Sequence, residues 1–125
     1  MKIRYCGEIH EVQPRIELYS VLDFMGNELY GIAILLEEDH EPFCDLTVSF
    51  GEFIGMKDCA YVDTNNCPFA EQLLQMDIAE DTGFTKRSGF CEYPLWHFNE
   101  NFLKQHGSAN YKMYSDTYEK YMGNR

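Results

Sequence analysis

The order of two hydrophobic periodicities along the chain restricts its fold more than any other feature. Polar and apolar residues alternate over residues 15–19 and again over residues 43–50, where Leu46, Val48 and Phe50 share one face. Such alternation is typical of half-buried strands. Helical periodicity starts only at Pro68. Strands first and helices later predict an α+β fold rather than a parallel sheet with alternating helices.

The first sixty residues predict an antiparallel β-meander of four or five strands, packed against two or three helices. Residues 29–36 are apolar almost throughout and predict a central strand. The other predicted parts are an edge hairpin of residues 1–5 and 8–12 around Gly7, a turn at Gly26-Asn27, a polar connector at residues 37–42 and a short strand at residues 60–62.

Two helices are predicted in the second half. In residues 68–78, the side chains of Phe69, Leu73 and Met76 form one apolar stripe, and Pro68 suits the first helical position. A helix over residues 100–106 would start at an Asn99 N-cap and stop at Gly107.

An aromatic-rich stretch, residues 90–98, lies between the predicted helices. Pro94 limits it to an edge strand or an extended segment, because proline cannot donate a ladder hydrogen bond.

Residues 1–107 are predicted to form a single domain, and residues 108–125 a helical C-terminal tail. The tail carries four tyrosines spaced three, four and three apart, which places them on one helical face. This stripe either packs back on its own domain or forms an interface with a partner or a second copy, which makes a homodimer possible. Its members are Tyr111, Tyr114, Tyr118 and Tyr121.

The charge is strongly acidic, with 21 acidic and 10 basic residues and a formal net charge of −11. Such a surface repels phosphate backbones and anionic membranes, so direct nucleic-acid or membrane binding is disfavoured. It favours another protein as partner, in particular a basic or nucleic-acid-handling one. The alternative is that the charge serves solubility alone.

Five irregularly spaced cysteines do not form a disulfide framework. The N-terminus lacks a secretory signal, and the longest strongly apolar stretch, residues 32–36, is too short to span a bilayer. A reduced cytoplasm is therefore the expected compartment. No cofactor and no metal are expected. The alternative is a zinc site made of Cys59, Cys67, Cys91 and His97, but the sequence separations between these residues do not match the usual spacing of paired zinc ligands.

The candidate site is a polar junction between a predicted strand and a predicted helix. Asp63, Asn65 and Asn66 could bind a ligand or a cation, or could simply form the turn and cap the helix. Cys67 falls at the predicted N-cap, where a helix dipole favours thiolate, so it is the candidate nucleophile. A buried structural thiol is the competing interpretation.

A second stretch, residues 82–89, contains the adjacent basic residues Lys86 and Arg87, followed by Ser88. Arg87 and Ser88 could hold an anion and complete the site if folding brings them beside the Asn65–Cys67 turn. The alternative is a surface loop in which Arg87 pairs with a carboxylate. His97, His40 or His10 could supply a base to Cys67.

Two motifs carry a family resemblance: Val-Asp-Thr-Asn-Asn-Cys-Pro at residues 62–68 and Arg-Ser-Gly-Phe-Cys-Glu-Tyr-Pro-Leu at residues 87–95. With the intervening Thr82-Gly83, they make residues 43–105 resemble a domain-of-unknown-function family of small proteins. That family is found in gut Firmicutes, often on conjugative or other mobile elements. The resemblance implies a bacterial cytoplasm and an accessory gene, and no activity.

The leading hypothesis is a non-enzymatic, acidic protein-binding module of a mobile element, with an inhibitor or DNA mimic as its most specific form. The alternative is a small-ligand binder or a cysteine-dependent enzyme that uses the Asn65-Asn66-Cys67 turn with Arg87 and Ser88.

Overall fold

The computed structural model describes residues 1–123, and these residues form an α+β domain with antiparallel sheets and three α-helices, as predicted. Asn124 and Arg125 of the predicted tail lie outside the described residues. The strands are β1 (Lys2–Tyr5), β2 (Glu8–Glu11), β3 (Gln13–Leu22), β4 (Glu28–Glu38), β5 (Glu41–Asp45), β6 (Thr47–Val48), β7 (Cys59–Val62), β8 (Ala79–Ser88) and β9 (Cys91–Phe98). The helices are α1 (Glu71–Gln75), α2 (Glu100–Gly107) and α3 (Ala109–Gly123), and a 3-10 turn, Pro68–Ala70, precedes α1.

The nine strands of residues 1–123 form three sheets rather than one meander of four or five strands. The predicted hairpin of β1 and β2 forms, but as a separate two-stranded sheet rather than as the edge of a meander. The second sheet has the order β3-β4-β5, with the apolar strand β4 at its centre. The third has the order β6-β7-β9-β8.

Leu46 connects the second and third sheets. Its N–H donates to the carbonyl of Ile34 in β4 (2.9 Å), and its carbonyl accepts from the N–H of Asp63, just after β7 (2.9 Å). The Leu46 side chain is fully buried. The single strand predicted over residues 43–50 is therefore wrong: β5 ends before Leu46, and β6 continues in the other sheet.

The polar connector predicted over residues 37–42 is also wrong. β4 extends to Glu38 and β5 starts at Glu41, so only Asp39 and His40 form the turn, both with positive φ (52° and 65°). A register shift beside Glu37 brings Pro42 opposite it, and β5 is an edge strand, where a missing N–H is tolerated.

Residues 82–88 belong to β8, so the surface loop that was one interpretation of residues 82–89 is wrong. β8 is the edge of the third sheet, and its pairing with β9 shifts register between Asp81 and Thr85. Within this irregularity Gly83 has φ 87°, and Thr82 donates its hydroxyl to the carbonyl of Leu95 (2.7 Å). The glycine is therefore a bulge in a strand rather than the sign of a loop.

β9 is a central strand, not the edge strand or extended segment that Pro94 predicted. Its pairing with β7 covers His97 to Leu95 and stops before Pro94. On the other side, Pro94 lies opposite Thr85, where the β8 register shift ends. The missing N–H of Pro94 thus falls at the end of one ladder and at the irregularity of the other.

The first helix is shorter than the predicted segment of residues 68–78. After the 3-10 turn, α1 ends at Gln75, and Asp77 takes a left-handed conformation with φ 58°. Phe69 and Leu73 are buried as predicted, but Met76 lies beyond the helix and is 38% exposed.

α2 packs on β3 of the second sheet, and α3 packs on β3 and β4. Asn99 caps α2 as predicted, since its Oδ1 accepts from the N–H groups of Asn101 (2.8 Å) and Phe102 (3.2 Å). Tyr111 and Tyr114 of α3 belong to the same core as Ile16 and Ile34. The residues described beyond Gly107 are therefore packed into the domain, and the predicted boundary at residue 107 does not separate them from its core.

Gly107 is needed for close packing. The residue that takes the positive φ at the end of α2 is Ser108 (46°), whereas a Cβ on Gly107 would lie 3.2 Å from the Cβ of Ile16 in β3. Glycine therefore lets the end of α2 approach the sheet.

We predict that Gly107→Ala lowers the free energy of unfolding by about 1–3 kcal/mol, because the added methyl overpacks a buried contact. Gly55→Ala is the matched control, since a Cβ there meets no atom within 4 Å. Urea unfolding followed by circular dichroism measures both. Equal stabilities of the two variants would show that the approach of α2 does not depend on Gly107.

Candidate functional site

The Asp63–Asn66 segment forms a self-contained turn. The carboxylate of Asp63 accepts from the backbone N–H of Asn66 (3.1 Å) and from its side-chain amide (2.8 Å). The carbonyl of Asp63 accepts from the N–H of Cys67 (2.9 Å), which leads the chain into the 3-10 turn. Asn65 and Asn66 are exposed. This geometry is the turn that the sequence offered as one alternative to a ligand site. Neither the 3-10 turn nor α1 has a side-chain cap at its N-terminus, so the predicted capping role is not observed.

Cys67 is at the predicted N-cap position, but its environment is that of a buried thiol. Its residue is 1% exposed, and its Sγ–H donates to the carbonyl of Asp45 in β5 (3.5 Å). The helical segment that follows consists of a three-residue 3-10 turn and a five-residue α-helix. A helix this short provides little dipole to favour a thiolate.

Cys44 in β5 is the neighbour of Cys67 that sequence reasoning missed. The interaction between the two thiols lowers the pKa of Cys67 against the opposing effects of burial, Asp63 and Asp45. The same interaction, together with burial, raises the pKa of Cys44. The two residues are far apart in sequence and on different elements, so no local pattern could have paired them.

The three histidines considered as bases have other positions or partners. His10 lies between two carboxylates, with its Nδ1 3.0 Å from Glu38 and its Nε2 3.8 Å from Glu8. His40 is in the exposed β4–β5 turn, and His97 is exposed on β9, opposite Cys59 in the register with β7.

Arg87 and Ser88 are near the end of the β8–β9 hairpin. Both are exposed, and the Arg87 guanidinium pairs with Glu92 of β9 at 3.5 Å. This is the carboxylate pairing that the sequence offered as the alternative to an anion site. Each of the two predicted stretches therefore has hydrogen bonds or ion pairs of its own.

The zinc alternative fails on geometry. Among residues 1–123, no three His, Cys, Asp or Glu side chains are placed to share a metal ion. Cys59, Cys67, Cys91 and His97 do not converge.

The tyrosine stripe of α3 faces its own domain. The hydroxyl of Tyr111 donates to the carboxylate of Asp58 (2.9 Å), and that of Tyr114 accepts from the N–H of Asp58 (2.8 Å). Tyr118 donates to the carbonyl of Gly55 (2.8 Å), and the rings of Tyr118 and Tyr121 both pack on Phe53. Tyr111 and Tyr114 are each 3% exposed, so in the folded domain they stabilise the fold and offer no outer surface.

An exposed apolar tip on the β3–β4 hairpin is a feature that the sequence reasoning did not select. Leu22, Phe24 and Met25 are 68%, 96% and 74% exposed. Large apolar side chains exposed together often mark a contact surface. The sequence feature that could have identified these residues is their position beside the predicted Gly26-Asn27 turn, because a hairpin turn projects from its sheet.

Asp23 holds this tip in one conformation. Its carboxylate accepts from the backbone N–H groups of Met25 (2.9 Å) and Asn27 (2.8 Å) and from the Asn27 side-chain amide (2.9 Å). The Asn27 side-chain bond is the main cause of the lowered pKa of Asp23. The apolar residues are thus presented on an ordered turn.

A family model described as Domain of unknown function (DUF4313) matches residues 18–118. The chain belongs to this family. Searches of curated proteins and of solved structures gave no significant match. None of the helices within residues 1–123 has the length and apolar character needed to cross a membrane.

The buried carboxyl group of Asp58 predicts how the stability of the fold depends on pH. It is 5% exposed, and burial raises its pKa above that of an ordinary aspartate. A raised folded-state pKa means that the folded protein binds the proton more tightly, so the associated stability is present at low pH and lost as pH rises through the folded pKa. Asparagine keeps the oxygen that accepts from Tyr111 and tolerates the positive φ of 66°.

We therefore expect wild type to lose stability relative to Asp58→Asn as pH rises from below the ordinary aspartate pKa to neutrality. Urea unfolding of both proteins across this range measures the difference, and Asp116→Asn, an exposed site on α3, is the control. If the difference in unfolding free energy between wild type and Asp58→Asn stays constant with pH, the raised pKa of Asp58 is contradicted.

The burial of the thiols predicts the order of labelling by iodoacetamide in the native protein. Exposed Cys6 should react first, and Cys59 and Cys67 should react at least roughly tenfold more slowly, because each must wait for local opening. Mass spectrometry of timed digests gives the order, and labelling in urea confirms that all five react. Cys67 reacting before Cys6 would support the nucleophile hypothesis instead.

Proposed function

We propose that this chain is a non-enzymatic, acidic protein-binding module that acts in the bacterial cytoplasm as an accessory protein of a mobile element. The observation that carries the binding proposal is the ordered, exposed apolar tip of Leu22, Phe24 and Met25. Because the Asp23 hydrogen bonds already order the backbone of the turn, a partner that binds the tip needs to order little more than the side chains.

The charge of the chain selects the partner. Asp23 lies within the tip, Glu28 follows it at the start of β4, and the whole chain has a net charge of −11. A partner with an apolar pocket in a basic surface fits both features, because complementary charge speeds association and excludes acidic competitors. A basic, nucleic-acid-handling protein has this chemistry.

The most specific form of the proposal is an inhibitor that occupies a nucleic-acid-binding surface. Carboxylates presented where phosphates would lie compete with the nucleic acid for the same basic side chains. The β4–β5 turn carries Asp39, and β5 starts with Glu41; both residues are exposed. The turn is at the opposite end of β4 from the apolar tip, a separation of roughly 33 Å for an 11-residue strand. The contributions of tip and charge can therefore be tested separately.

The alternative function, ligand binding or cysteine chemistry at Asn65, Asn66 and Cys67 with Arg87 and Ser88, stays a prediction. Its residues have the hydrogen bonds and ion pairs described above, and Cys67 is buried. The apolar tip therefore favours the binding module.

We expect Phe24→Ser to weaken partner binding by about 2 kcal/mol or more, roughly thirtyfold, because an aromatic anchor dominates a small contact. Phe90→Ser is the matched control: Phe90 is also fully exposed on a hairpin tip, that of β8–β9. A partner is first captured from a lysate of a related bacterium with the tagged chain. Its affinity for wild type, Phe24→Ser and Phe90→Ser is then measured by calorimetry.

A second arm tests the charge with Asp39→Asn/Glu41→Gln. If the partner is a nucleic-acid-binding protein and the chain inhibits it, this variant should compete less well with DNA while the tip stays intact. If Phe24→Ser binds the partner as tightly as Phe90→Ser does, the apolar tip is not the binding surface. If the acidic-turn variant competes with DNA as well as wild type does, the acidic turn does not mimic DNA.

A further inference from the structure

An open cavity of about 470 Å³ lies between the hairpin of β1 and β2 and the helix α1. It is lined by Lys2, Ile3, Arg4, Ile9, Gln72 and Gln75. Its volume is within the usual range of small-molecule sites, which is about 300–1,000 Å³. None of the lining residues belongs to the apolar tip or to the Asp63–Asn66 turn, so a role of this cavity is separate from the proposed protein binding.

Gln72 joins the two walls of this cavity. The backbone N–H of Arg4 donates to Oε1 of Gln72 (2.8 Å), and Nε2 of Gln72 donates to the backbone carbonyl of Arg4 (2.6 Å). The side-chain amide therefore pairs with the outer edge of β1 as a neighbouring strand would. These two bonds hold α1 against the hairpin and fix the backbone of Arg4, but they do not use its guanidinium.

Lys2 and Arg4 supply two positive charges to the cavity. Both are exposed and alternate with buried Ile3, so their side chains are on the same face of β1. Within residues 1–123, neither side chain forms an ion pair or a hydrogen bond. Every other lysine and arginine in that part of the chain, except Lys120, pairs with a carboxylate. Two unpaired cations therefore meet at one cavity.

No acidic side chain neutralises this pair of charges, although the chain has a formal net charge of −11. Glu11 is opposite Lys2 in the register with β2, but its carboxylate is 3.1 Å from the amino group of Met1. None of the residues that line the cavity is acidic. The local charge therefore suits an anion, even though the surface as a whole repels anions.

The remaining lining residues define what else the ligand carries. Ile9 is opposite Arg4 in the register with β2 and is 66% exposed, so it offers apolar surface beside the guanidinium. Gln75 follows Gln72 by about one helical turn and adds a neutral amide donor. Arginine binds carboxylates and phosphates through two parallel hydrogen bonds, and lysine adds a charge without a fixed geometry.

We propose that Lys2, Arg4 and Gln75 bind a small organic anion. Its carboxylate or phosphate group lies between the two cations, and its apolar part packs on Ile9. The ligand is small, because an extended polyanion or an anionic membrane would also meet the acidic surface around the cavity and be repelled by it.

Sodium benzoate is the probe, because it combines one carboxylate with one apolar ring. Titration of the isotope-labelled full-length protein at constant ionic strength, followed by amide correlation NMR, gives both the affinity and the place of binding. We expect a dissociation constant of roughly 1 mM or lower, as for a small ligand with one good polar contact. The residues whose amide signals should shift and saturate are Lys2, Arg4, Ile9, Gln72 and Gln75.

Arg4→Gln and Lys2→Gln should each weaken benzoate binding, Arg4→Gln by roughly tenfold or more, because glutamine removes the charge and the fork of donors. Lys120→Gln is the matched control, since Lys120 is also a lysine without an ion pair but does not line the cavity. The bonds to Gln72 use only the backbone of residue 4, so Arg4→Gln should fold, and the dispersion of its amide spectrum checks this.

Two further ligands separate the parts of the proposal. Benzamide lacks the charge and inorganic phosphate lacks the apolar ring, so each should bind roughly tenfold more weakly than benzoate or worse. Benzamide or phosphate binding as tightly as benzoate would show that the cavity does not select an organic anion. Shifts that do not saturate, or equal affinities of Arg4→Gln and Lys120→Gln for benzoate, would overturn the site.

Discussion

The backbone of Leu46 is the constraint on which the rest of the structure depends. Its N–H bonds to one sheet and its carbonyl to the other, and the residue is fully buried. Unpaired backbone groups at this depth would each be unfavourable by a few kcal/mol, about 1–3. The two sheets therefore cannot separate at this point without loss of both bonds, and β4 becomes the strand on which the second sheet, the third sheet and α3 all meet.

The class of fold followed from the sequence, but the division into sheets did not. Alternation predicts a strand without identifying its neighbours, and the period of two runs through Leu46 unbroken, so residues 43–50 gave no sign of a change of sheet. Gly83 and Pro94 misled in a similar way. Each commonly ends regular structure, yet in this fold each sits where a ladder already has an irregularity or an end.

The candidate site shows the same division between local and long-range information. The turn at Asp63 and the Asn99 cap involve neighbours in sequence, so the residue types alone indicated both. The environment of Cys67 depends on Cys44, and that of Asp58 on Tyr111, through contacts between distant segments. Such contacts leave no periodic trace in a single sequence, and the most informative chemistry of this chain arises from them.

The contact between α3 and Asp58 has a consequence for local motion. Most of α3 docks through tyrosine rings, but part of the contact is a hydrogen bond to a buried carboxylate. Detachment of the helix returns that carboxylate to water, where its charge is better solvated, and this gain offsets part of the lost apolar burial. The opening free energy of α3, as read by amide hydrogen exchange, is therefore lower than its buried aromatic area implies.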